Sequence, residues 1–494
     1  MKITVRNLGV LKEEAHIDLK PLTIFIGPNN AGKTWLAYAL AGILGPYGSK
    51  EYIQAYTEKQ VPSIYEPLDK AIEQILTEGN ATIDLHEFAN DYGERYFNEV
   101  AKFARNWMDR FLCTQFAHFE DMDISLILAE MKEQFLDEIL QYSQYSGISV
   151  GPKGSLLTIR KRSTEDKLYA YTSTELQDAD GQEEQIGMKI PPEEVRRHLV
   201  SFVFTAFRKS LYPQIRIFPT ERTTLVTFRF SARIADREQP RINEKVLDAF
   251  ETLVKELGMR TLAGQGKATG EAIRPVSYFA SMLGTIFRRG TREKEEREKA
   301  AKRDPRIRKY IELAEVLEKQ ILEGNVDFST PEPDPRREVL FQPTQDINLE
   351  IPIASSMVKE LWPLVLYLRH LARPGELLII DEPEMNLHPA AQVKITEFLA
   401  MLVNAGLHVL VTTHSTYLID HLTNLMDAYR HKNQDEIVEM FLLEKKEAFI
   451  DQEKVSVYLI DDGKIQNVLD QEGIIDWQTF SDVTQLVQRI HFEL

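Results

Sequence analysis

The sequence predicts an α/β protein: a mixed sheet that binds a nucleotide, interrupted by a large, mostly helical insertion. Three observations predict it. Gly27-Pro28-Asn29-Asn30-Ala31-Gly32-Lys33-Thr34 reads G-x-x-x-x-G-K-[ST], a phosphate-binding loop. Two apolar runs, 377–380 and 407–411, read as buried strands, one ending in Asp381-Glu382 and the other in Thr412-Thr413-His414. Between them, glycine thins out after Gly48 and apolar residues recur every three or four positions through 46–145.

In chain order, Ile3 and Val5 alternate with polar residues, and Ala15 to Leu19 reads as a second short strand. Residues 21–26 are apolar and β-rich, and 34–44 read as a helix, so the loop lies between strand and helix as its chemistry requires. Gly27 and Gly32 let backbone N–H groups close round phosphate oxygens, with Asn29, Asn30, Ala31 and Trp35 completing the nucleotide-binding stretch. Lys33 is expected to reach the β- and γ-phosphates, and Thr34 to ligate Mg²⁺. In the insertion, Leu68, Ile72, Ile75 and Leu76 share one helical face; Ile124, Leu128, Met131, Phe135 and Ile139 share another. Residues 146–178 turn β-like and helix returns over 191–211.

Residues 214–218 alternate as a strand and feed Pro219-Thr220-Glu221-Arg222; Glu221 then sits beside a nucleotide or in a solvated turn. Residues 240–325 read as helical. Within them Arg288 to Lys309 carries 11 Lys or Arg against 5 Asp or Glu, either a solvated helix face or a contact for DNA or an acidic partner. The prolines of 329–335 mark a linker. A strand ending in Asp381 suits Mg²⁺ coordination, with Glu382 placed to polarise a water and His414 to meet the γ-phosphate. Residues 455–465 read as a hairpin with an Asp-Gly turn, and 475–486 as a short helix.

Composition narrows the setting. A single cysteine, Cys113, excludes an internal disulfide and a Cys-rich metal site. No signal-like N-terminus and no run of about 18 apolar residues is present, so a cytoplasmic location is expected. The net charge of −17 argues against nucleic-acid binding over the whole surface.

The motifs together resemble the ATP-binding-cassette (ABC) class of ATPase heads, in its SMC-like and OLD-like (overcoming lysogenization defect) branch. Val5-Arg6-Asn7-Leu8-Gly9 is similar to that branch's opening strand and turn, and Asp381 to Pro389 (DEPEMNLHP) to its extended Walker B and D-loop. Pro219 to Arg222 resembles its Pro-Ala-Glu-Arg stretch, which makes Glu221 the candidate Q-loop residue. Ala354-Ser355-Ser356-Met357 resembles the signature motif, with Ser356 or Met357 where family members commonly carry Gly. The resemblance implies an ABC-type head split between residues 1–45 and 205–430, an insertion at 46–204, a helical arm with the basic stretch at 240–335, and a short C-terminal piece, 436–494, without a nuclease domain. It implies ATP and Mg²⁺ as cofactors, Mg²⁺ held by Thr34 and Asp381, and Glu382, His414 and Lys33 as catalytic groups. It implies head-to-head pairing, with Ser355 and Ser356 supplied in trans. It further implies a separately encoded effector, a nuclease or toxin, in bacterial anti-phage defence. The alternative is a DNA-repair or chromosome-maintenance ATPase of the SMC/RecF kind.

Overall fold

A computed structural model describes residues 1–114, 117–150, 155–173, 191–225, 274–333 and 337–476. Its principal elements are β1 (Lys2–Arg6), β2 (Ala15–Asp18), β3 (Leu22–Ile26), α1 (Lys33–Leu44), α2 (Pro46–Thr57), α3 (Glu66–Glu78), β4 (Asn80–Asp84), α4 (Leu85–Phe103), β5 (Asp123–Ile127), α5 (Met131–Gln141), β6 (Gln144–Val150), β7 (Ser155–Lys161), β8 (Lys167–Ser173), α6 (Pro192–Leu211) and β9 (Ile215–Phe218). Then come α7 (Arg274–Phe287), α8 (Thr291–Arg303), α9 (Pro305–Val316), β10 (Asn325–Phe328), β11 (Val339–Thr344), β12 (Ile347–Glu350), α10 (Ser356–His370), β13 (Leu377–Asp381), α11 (Pro389–Asn404), β14 (His408–Thr413), α12 (Thr416–Arg430), β15 (Val455–Asp461) and β16 (Lys464–Asn467). The chain divides into two compact units, each assembled from several segments: 1–6, 42–108 and 119–214 in the first; 7–41, 109–118 and 215–494 in the second.

In the first unit, β1 and β5 pair antiparallel, and β4, β8, β7 and β6 form an antiparallel sheet in that order. Helices α2 to α6 bury an apolar face each; α3 turns Leu68, Ala71, Ile72 and Ile75 inward. Asp84 caps α4 by accepting from the Glu87 N–H at 2.9 Å, satisfying one of the four N–H groups a helix start leaves open. One expectation is corrected here. Ile124 does not share a helix with Phe135 and Ile139; it lies in β5, paired with Val5. Ile124, Leu126 and Leu128 also alternate with period two, and Ala129, at φ +48°, turns the chain before α5 begins.

The second unit is built on a six-stranded sheet ordered β16-β15-β3-β14-β13-β9. All neighbours pair parallel except the β15–β16 hairpin. β3 and β13 are buried at every position, which is why they read as unbroken apolar runs: strands of a parallel sheet are covered on both faces. The core includes Ile395, Phe398 and Leu402 from α11 and Leu418, Leu422 and Leu425 from α12. β10, β11 and β12 form a separate antiparallel sheet.

The units differ from the expected segments in several places: residues 1–6 and 42–45 fall in the first unit rather than with the phosphate loop, and 109–118 fall in the second. Residues 205–214, the end of α6, belong to the first unit, so the second resumes at β9. The 240–335 region is not helical to its end, because β10 lies at Asn325–Phe328; residues 226–273 lie outside the described residues. The C-terminal hairpin is no appendage. β15 pairs along the whole of β3, from Val455↔Leu22 to Leu459↔Ile26, and buries Val455 and Val457 in the sheet. A helix at 475–486 lies almost wholly outside the described residues; Ile475 itself bridges to Leu469.

Candidate nucleotide-binding site

Parallel pairing brings the carboxyl ends of β3, β14, β13 and β9 to one edge, where open α/β sheets bind ligands. The register does more. It sets Asp381 opposite Thr412 and Thr413 opposite Ile26, so Asp381 and the strand that ends before His414 lie beside the segment that leads into the Gly27–Thr34 loop.

The loop's two glycines are required by backbone and by space. Gly27 (φ +146°) and Gly32 (φ +106°) hold conformations that side chains disfavour. A Cβ on Gly27 would sit 2.0 Å from the Ile460 carbonyl of β15, and one on Gly32 would sit 2.8 Å from Val10. Pro28, Asn29 and Asn30 are exposed at the loop's crest, while Ala31, Thr34 and Trp35 are half-buried. Lys33 is buried and curls back, its Nζ donating to the Gly27 and Pro28 carbonyls at 3.0 and 2.9 Å, with His414 Nε2 at 3.1 Å. Burial pushes its pKa down against the opposing pull of Glu382, Asp381 and Glu384.

Thr34 Oγ1 donates to the Asp381 carboxylate, 3.1 and 3.2 Å from its two oxygens. Tyr38, one helical turn on, donates to Asp381 Oδ2 at 3.2 Å, and Thr412 donates to Oδ1. Fully buried, Asp381 is pushed above the ordinary carboxylate range, and its neighbour moves the other way. The hydrogen bond with His414 Nε2, at 3.1 Å, holds Glu382 below that range despite burial, with the His414 and Lys33 charges assisting. The two adjacent acids are driven in opposite directions. Glu382 stands at φ +49°, in a sharp turn just after β13.

A hydroxyl and a carboxylate facing each other form a hard-oxygen pair suited to Mg²⁺. Among the described residues, no group of three or more His, Cys, Asp or Glu could hold a metal ion. The exposed Ser355 caps α10, its Oγ accepting from the Val358 N–H at 3.3 Å; Ser356 beside it is also exposed, so the helix start opens to solvent.

Residues 1–419 match the model of the AAA ATPase domain. The chain belongs to that family. AAA ATPase domains bind nucleotides, and within this one's matched region Thr34 donates to Asp381 while His414 Nε2 lies 3.1 Å from both Glu382 and Lys33. Among solved structures, the chain is similar to an Smc head bound to the C-winged helix domain of ScpA, with 11% identity, TM-score 0.34, and 95% of this chain and 98% of that chain covered. It is also similar to an Smc head with an extended coiled coil bound to the C-terminal domain of ScpA from Pyrococcus furiosus, with 12% identity, TM-score 0.33, and 99% and 98% covered. No curated protein matches. Among the described residues, no helix is long and apolar enough to cross a membrane.

Glu221, the sequence's Q-loop candidate, is exposed, and Thr220 Oγ1 donates to its Oε2 at 3.4 Å. The residue beside it makes the contacts. Buried Arg222 donates to the backbone carbonyls of Asp381 and Glu382, and sequence reading passed over it as the charged half of a turn. Glu384, inside the DEPEMNLHP stretch, is a second such residue. Its buried Oε1 accepts from Thr413 Oγ1 at 2.7 Å and the His414 N–H at 2.8 Å, fixing the end of β14. Tyr38 carried a usable signal: it lies four residues after Thr34, on the same face of α1.

Proposed function

We propose that this protein binds and hydrolyses ATP, and that two copies pair head-to-head around the nucleotide. The observation that carries the reading is the contact between Lys33, Glu382 and His414 at the mouth of the phosphate loop, with Thr34 and Asp381 joined beneath. Entering phosphates replace the loop carbonyls on Lys33 Nζ. Bound Mg²⁺, held by Thr34 and Asp381, would neutralise charge on the phosphates. Glu382 is the general base, kept ionised by its hydrogen bond with His414, and it takes a proton from the attacking water. His414 holds Glu382 and faces the γ-phosphate. No covalent intermediate is needed; positioning and electrostatics carry the step.

Pairing follows from the open N-terminus of α10. Ser355 and Ser356 present exposed hydroxyls and N–H groups suited to a phosphate held by another copy. The motif resemblance to the OLD-like branch supports a cycle that controls a separately encoded effector, a nuclease or toxin, in anti-phage defence. In Glu382→Gln, hydrolysis falls while ATP binding and an ATP-dependent dimer, read by light scattering, persist. Failure to bind ATP, or an assembly state indifferent to it, sinks the mechanism. For the biological role, phage plating should show protection only when the ATPase and its partner gene product are both present, and none with Glu382→Gln.

A further inference from the structure

Arg222 makes a set of contacts that the proposed cycle does not yet use. Its side chain is 2% exposed and that of its ion-pair partner Glu360 is 0% exposed, with Arg222 Nε and Glu360 Oε2 at 2.6 Å. One terminal nitrogen donates to the Pro219 carbonyl at 2.9 Å and the Asp381 carbonyl at 2.6 Å; the other donates to the Glu382 carbonyl at 2.8 Å. A single planar fork therefore grips the peptide on each side of Glu382. That residue needs the grip. Its left-handed backbone, at φ +49°, is unfavourable in a non-glycine residue and persists only where the surroundings over-determine it. On the opposite side its N–H is held by the Thr412 carbonyl at 3.0 Å.

Glu360 carries the second half of the connection. It lies on α10, five residues after the cap Ser355, about 7.5 Å along the axis. Its Oε1 accepts from Asn386 Nδ2 at 3.0 Å and from Thr223 Oγ1. Asn386 belongs to the turn after Glu382 and is itself left-handed, at φ +60°. One carboxylate on α10 thus ties the exit of β9, the backbone of Glu382 and the following turn.

We propose that Arg222 is a positioning residue for Glu382, and that its ion pair with Glu360 makes the aim of that carboxylate depend on the placement of α10. This rests on the reading that Glu382 is the base and that Ser355, at the start of α10, meets the nucleotide of a second copy. When a partner's ATP engages that end, any displacement of α10 is passed through Glu360 to the guanidinium and so to the peptides flanking the base. Hydrolysis becomes coupled to pairing with no contact between Glu360 and the nucleotide. Arginine is required because its four contacts, to Glu360, Pro219, Asp381 and Glu382, are spread over the three nitrogens of a planar fork, whereas lysine offers three donors on a single nitrogen.

The test uses the full chain, with Arg222→Lys and Glu360→Gln set against Glu382→Gln. Affinity is read with a fluorescent ATP analogue, chemistry by single-turnover hydrolysis, pairing by sedimentation with ATP, and folding by thermal melting. Arg222→Lys should slow the single turnover by ~10- to 100-fold, since small misplacements of a reacting group cost this much, while affinity changes less than about 3-fold. Glu360→Gln, nearly isosteric, should still pair with ATP but lose most of the rate gain that pairing brings. Should Arg222→Lys fail to fold, Glu360→Gln decides alone. The proposal is overturned if rate and affinity fall together, or if folded Glu360→Gln keeps the full gain on pairing. If Glu382→Gln hydrolyses like the wild type, the assignment of the base falls and this proposal with it. If Glu382→Gln is inactive and the other two variants behave as wild type, the positioning role alone is wrong.

Discussion

Around Phe204 the first unit buries rings; around Asp381 the second buries charges. Phe204 stacks on Tyr96 with centroids 4.5 Å apart and meets Tyr65 edge-on at 5.1 Å, within a cluster that includes Tyr52, Tyr56 and Phe207. The acid beside these rings, Glu99, accepts from Tyr52, from Tyr65 at 2.9 Å and from Arg95 at 2.8 Å. In the second unit, Lys33, Asp381, Glu382 and Glu384 crowd together, with Lys33 held by the Gly27 and Pro28 carbonyls and Asp381 and Glu384 by threonine hydroxyls. Polar groups that satisfy one another completely make a scaffold. Groups held by exchangeable partners, as Lys33 is by loop carbonyls, can trade them for a ligand.

That contrast can be broken at several strengths. Lys33→Ala should have the largest effect, lowering the ATPase rate by ~10²- to 10³-fold, the scale for losing one charge-stabilising donor, with the fold intact by circular dichroism. A smaller loss would mean that Lys33 belongs with the scaffold. Phe204→Ala should destabilise the first unit by about 3–5 kcal/mol in urea unfolding, yet leave ATP affinity within about 2-fold. A large drop in affinity would show that the ring cluster shapes the site.

A third prediction concerns pH. Burial, helped by the charges of Arg369, Arg289, Arg337 and Arg297, pushes His370 from 6.5 down to about 3. The unfolded chain takes up a proton below pH 6.5 that the folded chain refuses. Stability is therefore intact above that pH and is lost as pH falls toward 3, at about 1.4 kcal/mol per unit. The loss is about 2 kcal/mol between pH 6.5 and 5. His370→Phe should remove this slope; equal urea midpoint shifts in both proteins would assign it elsewhere. The smallest effect belongs to α8, where the Arg292–Glu296 pair is largely exposed. Arg292→Ala should move stability by less than ~0.5 kcal/mol. Reversing Arg292, Lys294 and Lys299 asks whether this face meets DNA: an unchanged affinity and salt dependence would leave it a solvated helix.

Much of the second unit was legible because its signals are local. A phosphate loop needs its glycines and lysine within eight positions, and a strand buried on both faces must be apolar throughout, so Gly27, Lys33, Thr34, Asp381 and His414 could be named from short stretches. The same rules misassigned Ile124, where periods of two and of three to four both suited the apolar residues and only pairing with Val5 settled the choice. They also set the C-terminal hairpin apart, because nothing between Val455 and Leu459 shows that its partner is β3, more than 400 positions earlier. Arg222 was hidden for the same reason. In sequence it is the charged neighbour of Glu221; its partners Glu360, Asp381 and Glu382 lie far along the chain.

The sequence by itself determined which groups can do the chemistry, since hydroxyl, ammonium, carboxylate and imidazole are properties of residues. Only the tertiary structure decided which of them touch. Parallel register placed Thr412 on Asp381, the turn at Glu382 set its carboxylate against His414, and burial sent two adjacent acids to opposite sides of their ordinary range. Those outcomes depend on desolvation and on contacts between strand ends about 30 positions apart, and with Thr34 347 positions before Asp381, and no short stretch of chain encodes either.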